Sequence, residues 1–311
     1  VSEEKQAHPE EFADVQAKIL AYKQRTGKSW PDIAQRIPGY SHNTISQFAN
    51  GKYTGGGVSK LAVLVEEFLA KEEERQQYEL VGDFFIEIST TKKVREALRM
   101  SHIRHKLVVV VGNPRLGKTK AIKRYAEEHS GVVLVESDVG YTPKILLAEI
   151  ARGVDEPWVG QFNDMRETVI ERLKDSEYFL IIDEAEHLPY KALEMIRRLR
   201  DKTGVGVVLI GQKQLLANLK GLRGQFRQLY GRVNLLAVLP DELRRDDVTA
   251  ILSQMLPEKH VKQFANIFHA DCKYSVQRII DLVDNTLDLM RINNIDMSAE
   301  VIHEAKKRLI A

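Results

Sequence analysis

The chain reads as an α/β fold built on a parallel sheet, preceded by an all-α domain with a helix-turn-helix and followed by a helical segment. Three observations predict this. Five runs are apolar at almost every position: "LVVVVG" (107–112), "GVVLVES" (131–137), "YFLIIDE" (178–184), "GVVLIGQ" (206–212) and "VNLLAVL" (233–239). Strands covered by helices on both faces have that composition, whereas half-exposed strands alternate. Amphipathic helical patterns separate the runs, the order a parallel sheet requires. The residues before about 80 and after Pro240 carry helical spacing without such runs. The predicted domains are therefore 1–80, 81–240 and 241–311.

In the first domain Phe12, Val15, Ile19 and Leu20 recur at helical spacing until "RTGKS" breaks the pattern. "SWPDIAQRI" restarts a helix with Ser29 as N-cap and Pro31 in its first turn. "PGYS" is a turn, and "HNTISQFANGKY" a second short helix ending at Gly51. A helix over Leu61–Tyr78 closes the domain with the charged run "KEEERQQ".

With 43% hydrophobic and 29% charged residues, the chain can bury a core. Its net charge of +2 hides an uneven distribution: residues 81–240 hold 26 Lys and Arg against 20 acids, while each flank holds 10 against 12. An acidic partner is expected to meet the middle first. Cys272 is the only cysteine, which excludes an intrachain disulfide and a cysteine metal cluster. No apolar run approaches membrane-spanning length and the polar start lacks a signal-peptide pattern, so a cytoplasmic location is expected. Zinc spacings and a G-x-S-x-G elbow are also missing.

The chemistry concentrates in "GNPRLGKT" (112–119), which satisfies G-x-x-x-x-G-K-[ST] between a strand and a helix. Gly112, Asn113, Pro114, Arg115, Leu116 and Gly117 would form an anion nest of inward-pointing amides, aided by the dipole of the following helix. Lys118 would reach the β- and γ-phosphates, the Thr119 hydroxyl would hold Mg²⁺, and Lys120 follows in the first turn. Arg115 and Leu116 stand where a second glycine is common. Sixty-five residues beyond Lys118, the strand "FLIIDE" ends in Asp183, a second Mg²⁺ holder, and Glu184, a base for the attacking water. Gln212 ends the next strand and is a candidate to hold that water; a surface glutamine opening a loop is the alternative. The site predicts ATP with Mg²⁺ and hydrolysis as the reaction.

These elements in this order resemble the AAA+ ATPases. Within them, "DFFIEISTTKKVREALRMSHIRHKLVVVVGNPRLGKTKAIKRYAEEH", "LIIDEAEHLPYKALEMIRRLRDKTGVGVVLIG" and "GQFRQLYGRV" resemble the phage Mu B family of transposition ATPases, whose relatives are the IstB and TnsC proteins. The resemblance implies a ring or helical filament in which an arginine of one subunit reaches the neighbour's γ-phosphate. "RGQFRQLYGRV" offers Arg223, Arg227 and Arg232; Arg232 matches the family position best, and Arg227 is second. Arg278, opening a helix of the C-terminal lid, matches a second phosphate-sensing arginine. Each also reads as a solvated surface arginine.

For nucleic acid, Ile33, Ala34, Ile37, Ile45 and Phe48 would form the helix-turn-helix core. Ser41, His42, Asn43, Thr44 and Gln47 would then face outward toward phosphates or base edges, with Lys52 on the backbone. The domain's slight negative charge favours the alternative, a protein-docking three-helix bundle. From Lys191 to Arg232 there are ten Lys or Arg against two acids, with "RRLRDK" the densest cluster. The loop "SDVGYTPK" holds Tyr141, Thr142 and Lys144. The resemblance places it toward a central channel, tracking the DNA backbone; a plain capping turn is the other reading. The expected function is an ATPase that polymerises on double-stranded DNA with little sequence preference, stimulates a DDE transposase and disassembles on hydrolysis. A helicase-loader or replication-initiator ATPase and an ATP-gated repressor are the alternatives.

Overall fold

The computed structural model describes residues 12–53, 55, 57–78, 85–156, 160–221 and 230–309. Arg223, Arg227 and Trp158 lie outside them. The chain divides into two compact units, Val1–Gly82 and Asp83–Ala311.

The first unit is helical: α1 (Ala13–Thr26), α2 (Trp30–Ala34), α3 (His42–Ala49) and α4 (Val58–Tyr78). Local chemistry sets the boundaries. Gly27, at φ 67°, ends α1 in the left-handed region. Ser29 and Asp32 form a reciprocal capping box at α2, with Pro31 in its first turn. Ile33, Ile37, Ile45 and Phe48 are buried together with Ile19, Leu61 and Val65, and Ala34 is partly buried beside them. These side chains therefore share one core. A buried carboxylate accompanies it: Glu72 of α4 accepts hydrogen bonds from Tyr22, Lys28 (3.2 Å) and Arg36 (2.8 Å). That network ties α1 and the turn after α2 to α4.

The second unit starts with α5 (Ser89–Arg104) and then alternates: β1 (Leu107–Val111), α6 (Lys118–Glu128), β2 (Val132–Glu136), α7 (Pro143–Gly153), α8 (Phe162–Leu173), β3 (Phe179–Asp183), α9 (Tyr190–Thr203), β4 (Gly206–Gly211), α10 (Gln214–Lys220) and β5 (Leu235–Val238). All five strands are parallel, in the order β2-β3-β4-β1-β5. The interior strands β1, β3 and β4 are buried at every position, while the edge strands β2 and β5 are not. This is why their sequences lack alternation. Core clusters lie on both faces of the sheet, one including Val109, Leu146, Ile182 and Leu209, the other Val94, Val108, Ile122 and Ile181.

A lid of four helices follows: α11 (Arg245–Met255), α12 (Glu258–Cys272), α13 (Val276–Asn293) and α14 (Ala299–Lys307). It has its own core around Ile251, Phe268, Leu282 and Ile302. Asp247 fastens lid to core. Its carboxylate accepts from the Ser89 amide (2.6 Å), the Ser89 hydroxyl (2.5 Å) and the Arg244 amide (3.0 Å), so one buried side chain caps both α5 and α11. Among the described residues, no helix is long and apolar enough to cross a membrane.

Candidate functional site

Parallel strands carry their ligand sites at their C-terminal ends. Here the ends of β1, β3 and β4 converge: the Gly112 amide donates to Gly211 O (3.1 Å), and the Ser137 amide beyond β2 donates to Asp183 O (3.0 Å). The loop 112–117 leaves β1 and enters α6. A Cβ on Gly112 would meet Leu239 at 2.8 Å, so glycine lets the loop start against the residue following β5. Gly117 has φ 84°, and Arg115 has φ 61°, in the region where a side chain costs about 1–2 kcal/mol. Asn113 is half-buried, whereas Pro114, Arg115 and Lys120 are exposed. Leu116 is fully buried, and its partners belong to the lid core.

Lys118 is folded back over its own loop, its ammonium donating to the carbonyls of Gly112 (3.0 Å) and Asn113 (2.7 Å). Burial pushes its pKa below the usual lysine value, against the pull of Asp183, Glu186 and Glu184. The Thr119 hydroxyl donates to Asp183 Oδ2 at 2.8 Å, joining the two positions the sequence assigns to Mg²⁺. Asp183 is 2% exposed, and burial raises its carboxyl above the ordinary range, with the Thr119 bond opposing. A buried ammonium and a hydroxyl–carboxylate pair fit a polyphosphate with its divalent cation: hard oxygen donors suit Mg²⁺, and among the described residues the lysine has no anionic partner at hydrogen-bond range.

Glu184 turns outward, its backbone held at φ 52° and its amide donating to Asp183 Oδ1 (2.9 Å). That left-handed corner separates the two carboxylates: Asp183 is buried at the sheet end and Glu184 is exposed. His187 Nε2 lies 3.6 Å from Glu184 Oε2. Ser137, buried, donates to both Asp183 O and Glu184 O (2.9 Å each) and clamps the corner. Sequence reading missed Ser137; its signal was the polar residue ending the "GVVLVES" run, which the β2–β3 register sets beside the Asp-Glu pair. It also passed over Glu186, whose carboxylate occupies the space above Gly211, so that any Cβ there would collide with it. Glu186 Oε2 is buried without a hydrogen-bond partner among the described residues. Gln212 is exposed at the end of β4, beside Lys213, which pairs with Asp241 at 2.7 Å.

The arginines separate. Arg278 lies in the first turn of α13, where its amide donates to Ser275 Oγ (3.1 Å), and the neighbouring Val276 amide donates to Arg115 O (2.9 Å). The lid helix therefore begins on the phosphate loop. Arg232 is exposed ahead of β5, near Asn234, whose amide donates to Leu107 O (2.8 Å) at the start of β1. The phosphate loop follows the far end of β1, about 13 Å away at strand rise, so Arg232 is remote from the loop of its own chain. Arg227 lies outside the described residues.

The candidate DNA residues sit in three places. Tyr141 is half-buried against the sheet's core, Thr142 accepts from the Ile145 amide as N-cap of α7, and Lys144 is exposed two residues on. In the first unit Ser41 caps α3, accepting from the Thr44 amide, and its hydroxyl lies 2.9 Å from that of Thr44. His42, Asn43, Gln47 and Lys52 are exposed. The basic run of α9 is largely paired, within the helix and with α8. Arg197 bonds Glu194 and Asp201, Arg198 bonds Glu194, and Lys202 lies 3.5 Å from Glu167. Arg197 holds the Glu194 carboxyl down at about 2. Much of the apparent charge excess there is neutralised locally.

A family model described as an AAA domain matches residues 102–219. The chain is 30% identical over 190 residues to the Mu-like prophage FluMu DNA transposition protein B of Haemophilus influenzae, covering 60% of this chain and 65% of that protein. It thus spans slightly less than two thirds of that relative. It is 26% identical over 251 residues to the ATP-dependent target DNA activator B of Escherichia phage Mu, covering 77% of each. Among solved structures, the Aeropyrum pernix ORC2 protein shares the fold with a TM-score of 0.55 at 14% identity, over 75% of this chain and 71% of that one. With the phosphate loop, the Asp-Glu strand end and the lid in place, the chain carries an AAA-type ATPase core and is similar to the phage Mu B transposition proteins.

Proposed function

We propose that this protein binds and hydrolyses ATP and uses the nucleotide to control its own assembly on target DNA during transposition. The observation that carries the reading is the Thr119–Asp183 contact beside the buried Lys118, set at the strand ends of an AAA+ sheet. Lys118 exchanges its two loop carbonyls for phosphate oxygens. Thr119 and Asp183 hold Mg²⁺, which when bound neutralises charge on the β- and γ-phosphates. Glu184, exposed at its left-handed corner, accepts the proton of the water that attacks the γ-phosphorus, and Gln212 orients that water. The bond to the β–γ bridging oxygen breaks, leaving ADP and inorganic phosphate. Arg278 senses the phosphates from the lid.

Arg232 acts in trans, with Arg227 as the second candidate, because its distance from its own phosphate loop suits the site of an adjoining copy. Nucleotide thereby bridges subunits of a ring or helical polymer. Tyr141, Thr142 and Lys144 run along the backbone of double-stranded DNA, and the α3 face (Ser41, His42, Asn43, Thr44, Gln47) with Lys52 adds contacts. Such contacts fix register without reading sequence. The polymer recruits and stimulates a DDE transposase, and hydrolysis takes it apart. The named relative, an ATP-dependent target DNA activator, supports the reading.

Negative-stain imaging with duplex DNA of arbitrary sequence tests it, with ATP, ADP or no nucleotide. Filaments that require ATP and form on any duplex are the expected outcome. Discrete dimers on one sequence, or binding confined to single strands, would overturn it.

A further inference from the structure

The phosphate loop is built into the lid. Leu116 is 0% exposed and packs among lid residues such as Leu243, Val248 and Ile279, beside Ile88. Its carbonyl accepts from the Thr90 hydroxyl at 2.8 Å. Arg115, held at φ 61°, directs its carbonyl to the first amide of α13, Val276, at 2.9 Å. Two residues later in the same turn comes Arg278. One side chain and one carbonyl of the loop thus fix where the helix bearing Arg278 begins.

We infer that Leu116 and Arg115 are positioning residues that register α13 on the phosphate loop, so that phosphate occupancy and lid position change together. This rests on the nucleotide-binding reading above. In the present conformation Lys118 occupies the carbonyls of Gly112 and Asn113, a few residues before Arg115. Binding a phosphate requires the lysine to leave them and the loop amides to turn toward the anion. The Arg115 carbonyl belongs to the same backbone, and Leu116 cannot shift without moving the core it fills, because packed cores do not deform continuously. The movement therefore reaches α13 directly, carrying Arg278 relative to the phosphates.

Val276→Pro isolates the link. Val276 is the first residue of α13, so proline there leaves the helix's own hydrogen bonds intact, and Ser275 before it is already extended (φ −156°, ψ 124°), as a residue preceding proline must be. The substitution deletes the N–H and sets the ring Cδ against the Arg115 carbonyl, so it breaks the backbone contact that joins loop and helix. Amide exchange over residues 278–284 is measured in the full chain with and without ADP, alongside a fluorescent nucleotide titration. Wild type should show roughly tenfold protection on nucleotide binding, a typical coupling. Val276→Pro should keep nucleotide affinity within about threefold while its protection falls below about twofold. Val276→Ala, which retains the N–H, should behave as wild type. Leu116→Ala removes the packing contact instead of the hydrogen bond and should lose protection too, so the inference survives if proline disturbs folding. Full protection in both the proline and the Leu116 variants overturns the inference, as does wild-type protection that is absent when nucleotide is bound. Failure of the wild type to bind nucleotide overturns the underlying reading instead.

Discussion

A residue in a surface phosphate loop and a residue in a hydrophobic core respond differently to truncation, and Leu116 distinguishes the two. Substitutions at exposed loop positions usually change stability by less than about 0.5 kcal/mol. Leu116, at 0% exposure, is in the other class. Leu116→Ala removes three carbons from the lid core, about 2.4 kcal/mol at 0.8 kcal/mol per buried methylene. The cavity left behind adds to this, giving a total of roughly 2–5 kcal/mol, according to how far Ile88 and the lid side chains collapse. At about 2–4 °C per kcal/mol for a unit of this size, the transition of the Asp83–Ala311 unit should fall by roughly 5–15 °C. Scanning calorimetry of the intact chain measures it, and the Val1–Gly82 unit serves as internal reference. A fall of less than about 1 °C would refute the packing of the loop into the lid.

Three other outcomes are expected. Glu184→Gln removes the proton acceptor but keeps the corner, so it should bind ATP, slow hydrolysis by about two orders of magnitude or more and accumulate the DNA-bound polymer; rapid disassembly of that variant, followed by light scattering, would count against the mechanism. Glu72→Gln should cost the first unit roughly 1–3 kcal/mol in urea unfolding, since the buried acceptor of Tyr22, Lys28 and Arg36 loses its charge, while steady-state ATPase stays unchanged. Asp284 has its carboxyl pushed up to about 6 by burial, with Asp281 and Asp288 adding to the effect. From about pH 4 to 6 the folded chain therefore keeps a proton that the unfolded chain releases, and stability falls as pH rises through that window. Asp284→Asn should stabilise by about 1 kcal/mol near neutral pH, after discounting for partial exposure, and by nothing near pH 4. Equal melting shifts at both pH values would refute the assignment.

Much of this molecule follows from short-range chemistry. The capping box at Ser29, the stop at Gly27 and the five apolar runs are all local, because hydrogen bonding within one turn and burial of a whole strand leave their mark on neighbouring residues. The phosphate loop is equally legible: its glycines, Lys118 and Thr119 sit within eight residues of one another. Asp183 stands out as an acid ending an apolar strand, and the fold brings it to Thr119.

What the sequence withheld are relations between distant segments. Nothing near Leu116 announces a core residue, since most of the cluster it joins lies more than a hundred residues downstream, in the lid. Ser137 acquires its role from strand register, Asp247 from the meeting of two helix termini, and Arg232 its remoteness from the direction of β5. The basic run on α9 shows the converse: composition counted its charges, but helical spacing paired them with Glu194 and Asp201. The sequence alone determined which residues form strands, caps and the phosphate loop, because those depend on neighbours along the chain. Only the tertiary structure decided that the loop and the lid share one core, because that contact exists only after sheet order and lid docking bring the two segments together.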